Sequence, residues 1–172
     1  MHIKDLNSKE YDPYYSRYIR KLEASMSLTQ SFENGFLNVI DFFQKLPKEK
    51  LGYRYAKGKW NCKEILQHLI DTERIFMYRC FRIARNDKTE LAGFNQNEYV
   101  EPSGASKKNM EQLLAEFQAV RQSSISLVNS FINTDLQNVG IANGAAMSAR
   151  AAAFTVTGHE IWHMDIIKER YL

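Results

Sequence analysis

Proline is almost missing from this chain, with 3 residues in 172, and glycine is scarce at 8. A fold of many short strands joined by tight turns draws heavily on both, so this composition argues against one. No internal repeat or low-complexity segment is present, which excludes a solenoid. No stretch is apolar for long enough to span a bilayer. The opening "MHIKDLNSKEYDPYY" lacks an apolar core segment and does not read as a secretory signal. Charge of one sign is also missing: 23 basic residues face 20 acidic ones, and the signs are interspersed. Without a long basic stripe, neither nucleic acid nor an anionic membrane is the expected partner. The remaining composition, 25% charged and 44% apolar, is that of a soluble globular protein. Residues 1–172 are expected to form a single domain large enough for its own core.

Cysteine is limited to Cys62 and Cys80. Both fall within one expected helix, where eighteen residues separate them by roughly 27 Å. A disulfide needs Cα atoms within about 7 Å, so they cannot pair with each other. Free thiols fit the cytoplasm.

What the sequence does contain is helical periodicity. A short helix is expected after Asp12–Pro13, with proline in its first turn. In "SLTQSFENGFLNVIDFFQKLP", Leu28, Phe32, Phe36, Val39, Phe43 and Leu46 recur at helical spacing, and Pro47 ends the segment. A second long helix starts at "WNCKEILQHL". There Asn61 is a good N-cap, Glu64 can complete a capping box, and Trp60 and Ile65 are placed for a hydrophobic staple. Ile65, His68, Thr72, Ile75, Arg79 and Ile83 mark its inner face. A third helix is expected over about 106–131, with Met110, Leu113, Phe117, Val120, Leu127 and Phe131 inward. Ser148 caps a fourth that runs to the end. Two longer loops, about 89–104 and "NTDLQNVGIANGAAM", are candidate lids. Four long amphipathic helices imply an all-α four-helix bundle.

The chain has four histidines. His2 lies near the start, but His68, His159 and His163 all fall on inward rows. His159 and His163 stand four apart, one helical turn, so their rings share a face. Two readings are open. Each can be an ordinary buried histidine, or the three can share a divalent cation, which would satisfy one nitrogen on each ring. H-x-x-x-H alone does not choose, because the spacing is common. Arg79 and Arg121 face inward and need carboxylate or carbonyl partners; one of them reaching an anionic substrate is the alternative. Asp71 can serve a neighbouring imidazole or pair with Arg74. Glu160 points about 100° away from His159, towards solvent or an interhelical ion pair.

The segments "YAKGKWNCKEILQHLIDTERIFMYRCFRIAR" and "GHEIWHMDIIKERYL" resemble the stretches around the metal histidines of the DinB-like family, which also takes in the YfiT-type proteins. "GFNQNEYV" and "EFQAVRQSS" resemble its middle loop and third helix. The resemblance implies an up-down-down-up four-helix bundle and a metal held by three histidines, carried over to His68, His159 and His163. Many relatives have a histidine pair near the end, where this chain has Trp162 before His163; this alters the pocket wall and keeps the ligand position. Glu73 and Arg74 match the family's D-T-E-R run, and helix phase assigns them to interhelical or dimer contacts. Three protein ligands leave coordination positions open, as catalytic sites do. A water there is acidified towards neutral pH, and a thiol is deprotonated. The resemblance therefore implies a hydrolase or a thiol transferase acting on a small molecule, possible partners being a low-molecular-weight thiol and a second copy of the chain. A stress-response protein that binds metal without catalysis is the alternative from another class. Three imidazoles suit zinc or nickel, and also iron or manganese.

Overall fold

The computed structural model describes residues 1–172. Four long helices dominate: α2 (Leu28–Gln44), α3 (Cys62–Ala84), α5 (Met110–Asn129) and α7 (Ala149–Arg170). Single turns supply α1 (Ser16–Ile19), α4 (Asn97–Val100) and α6 (Asn133–Leu136), and a hairpin of β1 (Val139–Ala142) and β2 (Ala145–Ser148) precedes α7.

The helix starts follow their caps. Asn61 Oδ1 accepts from the Glu64 amide at 2.9 Å, and Glu64 returns the bond to the Asn61 amide at 2.9 Å. Arg54 grips both Glu64 oxygens at 2.6 Å, which fixes this end of α3 beside Trp60. Ser27 and Ser148 cap α2 and α7. The third long helix starts later than the periodicity suggests, because Asn109 takes the cap. Ser106 sits in a 3₁₀ turn instead, with its hydroxyl on Glu64. Asp12 caps the 3₁₀ turn Pro13–Tyr15, which runs directly into α1.

The segment expected as a plain loop before α7 forms the β1–β2 hairpin. Its two-residue connection is Asn143–Gly144, with φ of +55° and +75°. Both values are what a tight hairpin turn demands, and Asn-Gly is its strongest sequence signal. Leu91 bonds to this hairpin through Ile141 and Asn143, which ties the long loop after α3 to the same end of the bundle.

The core is divided in two. One apolar cluster gathers Phe32, Phe76, Cys80, Ile83, Val128, Phe131, Ala152 and Phe154. The other gathers Val39, Phe43, Leu66, Ile70, Leu113, Phe117 and Ile167. Burying each large side chain contributes about 1.5–3 kcal/mol. Between the clusters runs a polar layer. Arg121 on α5 donates from Nε and Nη2 to the two oxygens of Glu73 on α3, each at 2.9 Å. It also reaches Glu160 on α7 and the carbonyl of Phe32 on α2. One guanidinium thus joins all four long helices. The inner stripe of α5 is centred on Leu113, Phe117, Arg121, Ser124 and Val128, while Val120 and Leu127 are only half-buried. α7 has no polar face over most of its length: from Ala149 to Glu160 all but Arg150 are buried. No helix is long and apolar enough to cross a membrane.

Candidate metal centre

The three inward histidines converge. His68 comes from α3 two turns after the Asn61 cap; His159 and His163 lie one turn apart on α7, which packs against α3. Nε2 of His159 stands 3.1 Å from Nε2 of His68 and 3.0 Å from Nε2 of His163. One nitrogen from each ring falls within 4.8 Å of the others. His2 is remote from the cluster, in a bridge with Ser27.

These imidazoles are held neutral. Burial pushes His68 down to about 4. Burial, and then the neighbouring imidazoles, hold His159 well below the ordinary value; burial and His68 do the same for His163. Nδ1 of His68 lies 3.4 Å from the Thr72 hydroxyl. With its proton on Nδ1 and directed at Thr72, His68 turns the Nε2 lone pair towards the other two rings.

The donor set fits a divalent ion. Nitrogens about 2.0–2.1 Å from a common tetrahedral ion stand roughly 3.3–3.4 Å from one another, close to the separations of His159 Nε2 from His68 and from His163. Three neutral nitrogens facing one another have few protons to share among them, whereas a cation accepts a lone pair from each. No carboxylate joins the group. Such a set suits borderline metals better than magnesium or calcium.

An aromatic collar surrounds the cluster. The Trp60 ring is 4.7 Å from His68, the Trp162 ring 4.8 Å from His163, and the Tyr18 ring 4.9 Å from His159. Trp60 therefore covers a histidine as well as packing at the start of α3. A cleft of about 590 Å³ opens from the cluster, with Tyr15, Phe76, Arg79, Phe94 and Asn143 further along its walls.

The chain belongs to the DinB superfamily. The superfamily's model matches residues 35–167. YfiT from Bacillus subtilis, described as a probable metal-dependent hydrolase with an unusual four-helix bundle topology, superposes with a TM-score of 0.73. The match covers 93% of this chain and 91% of that one. At 16% identity this likeness shows the fold. No curated protein matches the sequence.

Within this DinB-superfamily chain, the other polar residues also have defined places. Asp71 bonds Gln67 and Arg74, so it serves the outer surface of α3 and not a histidine. Glu160 takes the interhelical place, against Arg121. Burial pushes its carboxyl up, to about 7, against the pull of the guanidinium. For Arg121 burial opposes the charge, but Glu160 and Glu73 outweigh it and raise its pKa. Asn143 lines the cleft; Asn95 caps the turn before α4. Tyr14, which is exposed, and Tyr15, which is half-buried, line the cleft as well. Sequence reasoning missed Tyr18. The signal was Gly158, a glycine inside a helix: a Cβ there would lie 2.2 Å from the Tyr18 carbonyl oxygen, so α1 docks on α7 only because that side chain is absent.

Proposed function

We propose that the protein is a metal-dependent enzyme in which His68, His159 and His163 hold one divalent ion, zinc or nickel first, beside the cleft that they line. The observation that carries this reading is the convergence of three Nε2 atoms, from His68, His159 and His163, on the wall of the cleft. An ion held by three protein ligands supplies Lewis acidity and an open position where water or a thiol becomes nucleophilic near neutral pH. Water as the nucleophile makes the protein a hydrolase, the activity ascribed to YfiT. A low-molecular-weight thiol makes it an S-transferase.

The chain's own residues prepare the site for either. Burial keeps the imidazoles unprotonated. Thr72 orients His68. Tyr18, Trp60 and Trp162 limit water around the histidines, which strengthens electrostatic interactions there. The polar layer behind α7 anchors Glu160, and with it the backbone of His159, against three other helices.

The same reading takes residues 1–172 as one cytoplasmic domain acting on a small molecule, with a homodimer as its assembly. It takes the bundle as up-down-down-up, with residues 13–19 as a short added N-terminal helix. The order of cross-contacts supports this. Thr29 meets Asn129 and Phe36 meets Phe117, an antiparallel order, whereas Lys63 meets Lys108 and Glu73 meets Arg121, a parallel one.

Cobalt substitution tests the reaction class. A sulfur-to-cobalt charge-transfer band on adding a small thiol supports the transferase. Ester or amide hydrolysis without such a band supports the hydrolase. Full cobalt occupancy with neither leaves a metal-binding protein that catalyses nothing, and the enzyme reading fails.

A further inference from the structure

Two arginines are buried in this protein, and they are treated differently. Arg121 meets two carboxylates. Arg79, 2% exposed, meets none. Its Nη2 donates to the carbonyl of Ala92 at 2.8 Å, and its guanidinium carbon lies 5.0 Å from the Phe76 ring centre and 5.8 Å from that of Phe94. Tyr15 is its other polar neighbour: burial raises that phenol's pKa, and the charge of Arg79 pulls it back. A guanidinium carries five N–H donors and cannot shed its charge. Burying it without an anion is unfavourable, and the carbonyl and phenol beside it are neutral.

Arg79 lines the same cleft as the histidines. On α3 it stands three turns after His68 on nearly the same face, roughly 16 Å along the axis. The rings of Phe76, Phe94 and Tyr15 wall the space near it. We propose that the Arg79 end of the cleft is a subsite for a carboxylate, so that the substrate is a small organic acid anion with an apolar body between its carboxylate and its reacting group. The substrate role rests on the histidine cleft being a reaction site; the anion subsite itself does not. One guanidinium matches a monoanion and can grip a carboxylate in a two-point fork. A phosphate dianion calls for a second cation, and the other two charged residues lining the cleft, Arg17 and Asp12, have opposite signs.

The chain's only two tryptophans, Trp60 and Trp162, both line the cleft, so their fluorescence reports its occupation. The probes are 4-phenylbutanoate, its neutral amide and 3-phenylpropyl phosphate, titrated into the full chain with zinc and again with a chelator. The acid is expected to bind about tenfold more tightly than the amide in both conditions. Arg79→Gln should bring that ratio close to one, and Arg79→Lys should keep part of it. Equal binding of acid and amide by the unchanged protein overturns the proposal, whether or not the variants fold. Tighter binding of the phosphate than of the acid overturns the carboxylate assignment. A preference that needs zinc and ignores Arg79→Gln places the acid on the ion; the subsite then fails while the metal reading stands. A preference that survives chelation and disappears in Arg79→Gln supports the subsite even if the protein takes up no zinc, in which case the metal reading fails alone.

Discussion

Gly35 on α2 faces the carboxylate of Glu160 on α7 so closely that a Cβ at Gly35 would lie 1.9 Å from Oε1 of Glu160 and 2.7 Å from Nη1 of Arg121. The absence of one methyl group on α2 therefore makes room for the polar layer. That layer backs the metal centre, since Glu160 is the residue after His159.

Gly35→Ala is accordingly expected to destabilise the protein. Alanine in a helix interior gains about 1 kcal/mol over glycine. Overpacking costs about 1–3 kcal/mol, and disturbing a buried ion pair costs roughly 3–5 kcal/mol when a partner is lost. The clash wins, and a net loss of about 2–4 kcal/mol is expected. Urea denaturation measures it; an unchanged or raised midpoint would show that Glu160 and Arg121 move aside freely.

Gly158 allows a second close approach, and its replacement tests whether α1 belongs to the site. In Gly158→Ala the new methyl meets backbone, the Tyr18 carbonyl carbon and oxygen and the Ile19 nitrogen, and not a flexible side-chain end. The N-terminal segment must shift and carry Tyr18 away from His159. A loss of about 1–3 kcal/mol is expected, with faster proteolysis before residue 20. Cleavage at the unmodified rate would mean that the segment is not held by this contact.

These two glycines also show what was legible in the sequence. The four long helices could be read because caps and apolar spacing are local signals: Asn61 with Glu64, Ser148, and the row from Leu28 to Phe43 each lie within a few residues. His68, His159 and His163 could be placed inward by the same arithmetic. The hairpin was legible in principle, since Asn143–Gly144 is a turn signature, but β1 and β2 are only four residues each and their sequences, VGIA and AAMS, do not alternate apolar with polar residues. The polar layer was legible only in part: Arg121 was expected to need a carboxylate or carbonyl, but its pairing with both Glu73 and Glu160 was not. Helix phase left Glu160 between solvent and an interhelical ion pair, and only the four-helix junction at Arg121, which spans distant parts of the chain, makes its burial tolerable. The aromatic collar was hidden for the same reason, because Tyr18 reaches His159 from 141 positions away.

Metal-free protein should lose stability as the solution is acidified below neutral. A histidine whose folded pKa is depressed binds fewer protons folded than unfolded, so its contribution is full above the unfolded value, near 6.5, and is lost as pH falls towards the folded value. For His68 the window runs from about 6.5 to about 4. Because that ring is only partly enclosed, about 3 kcal/mol by pH 4 is an upper bound for it. His159 and His163 act in the same direction over a window that extends lower. Glu160 acts oppositely: its raised value, about 7, favours the folded state in acid and removes that support as pH rises from about 4.5 through 7. Three histidines outweigh one carboxyl, so the melting temperature of chelated protein should drop steadily between pH 6.5 and 4. A flat or rising profile would contradict neutral, buried rings.

Replacing the histidines separates ligands from ordinary core residues. His68→Ala, His159→Ala and His163→Ala should each lower affinity for zinc by orders of magnitude, because two remaining imidazoles make a poor site. Affinity is measured by competition with a chromophoric chelator, and His2→Ala serves as the control that changes nothing. The fold should survive these changes, since two apolar clusters and the Arg121 junction do not depend on an ion. Chelator should then lower the melting temperature of the unmodified protein and leave each variant's unchanged, because stabilisation by a ligand disappears with its binding. Binding should also fail below about pH 6 in the unmodified protein, where protons compete for the imidazoles. If one of the three substitutions left zinc affinity intact, that ring would be a buried histidine beside the site and the ligand set would be wrong.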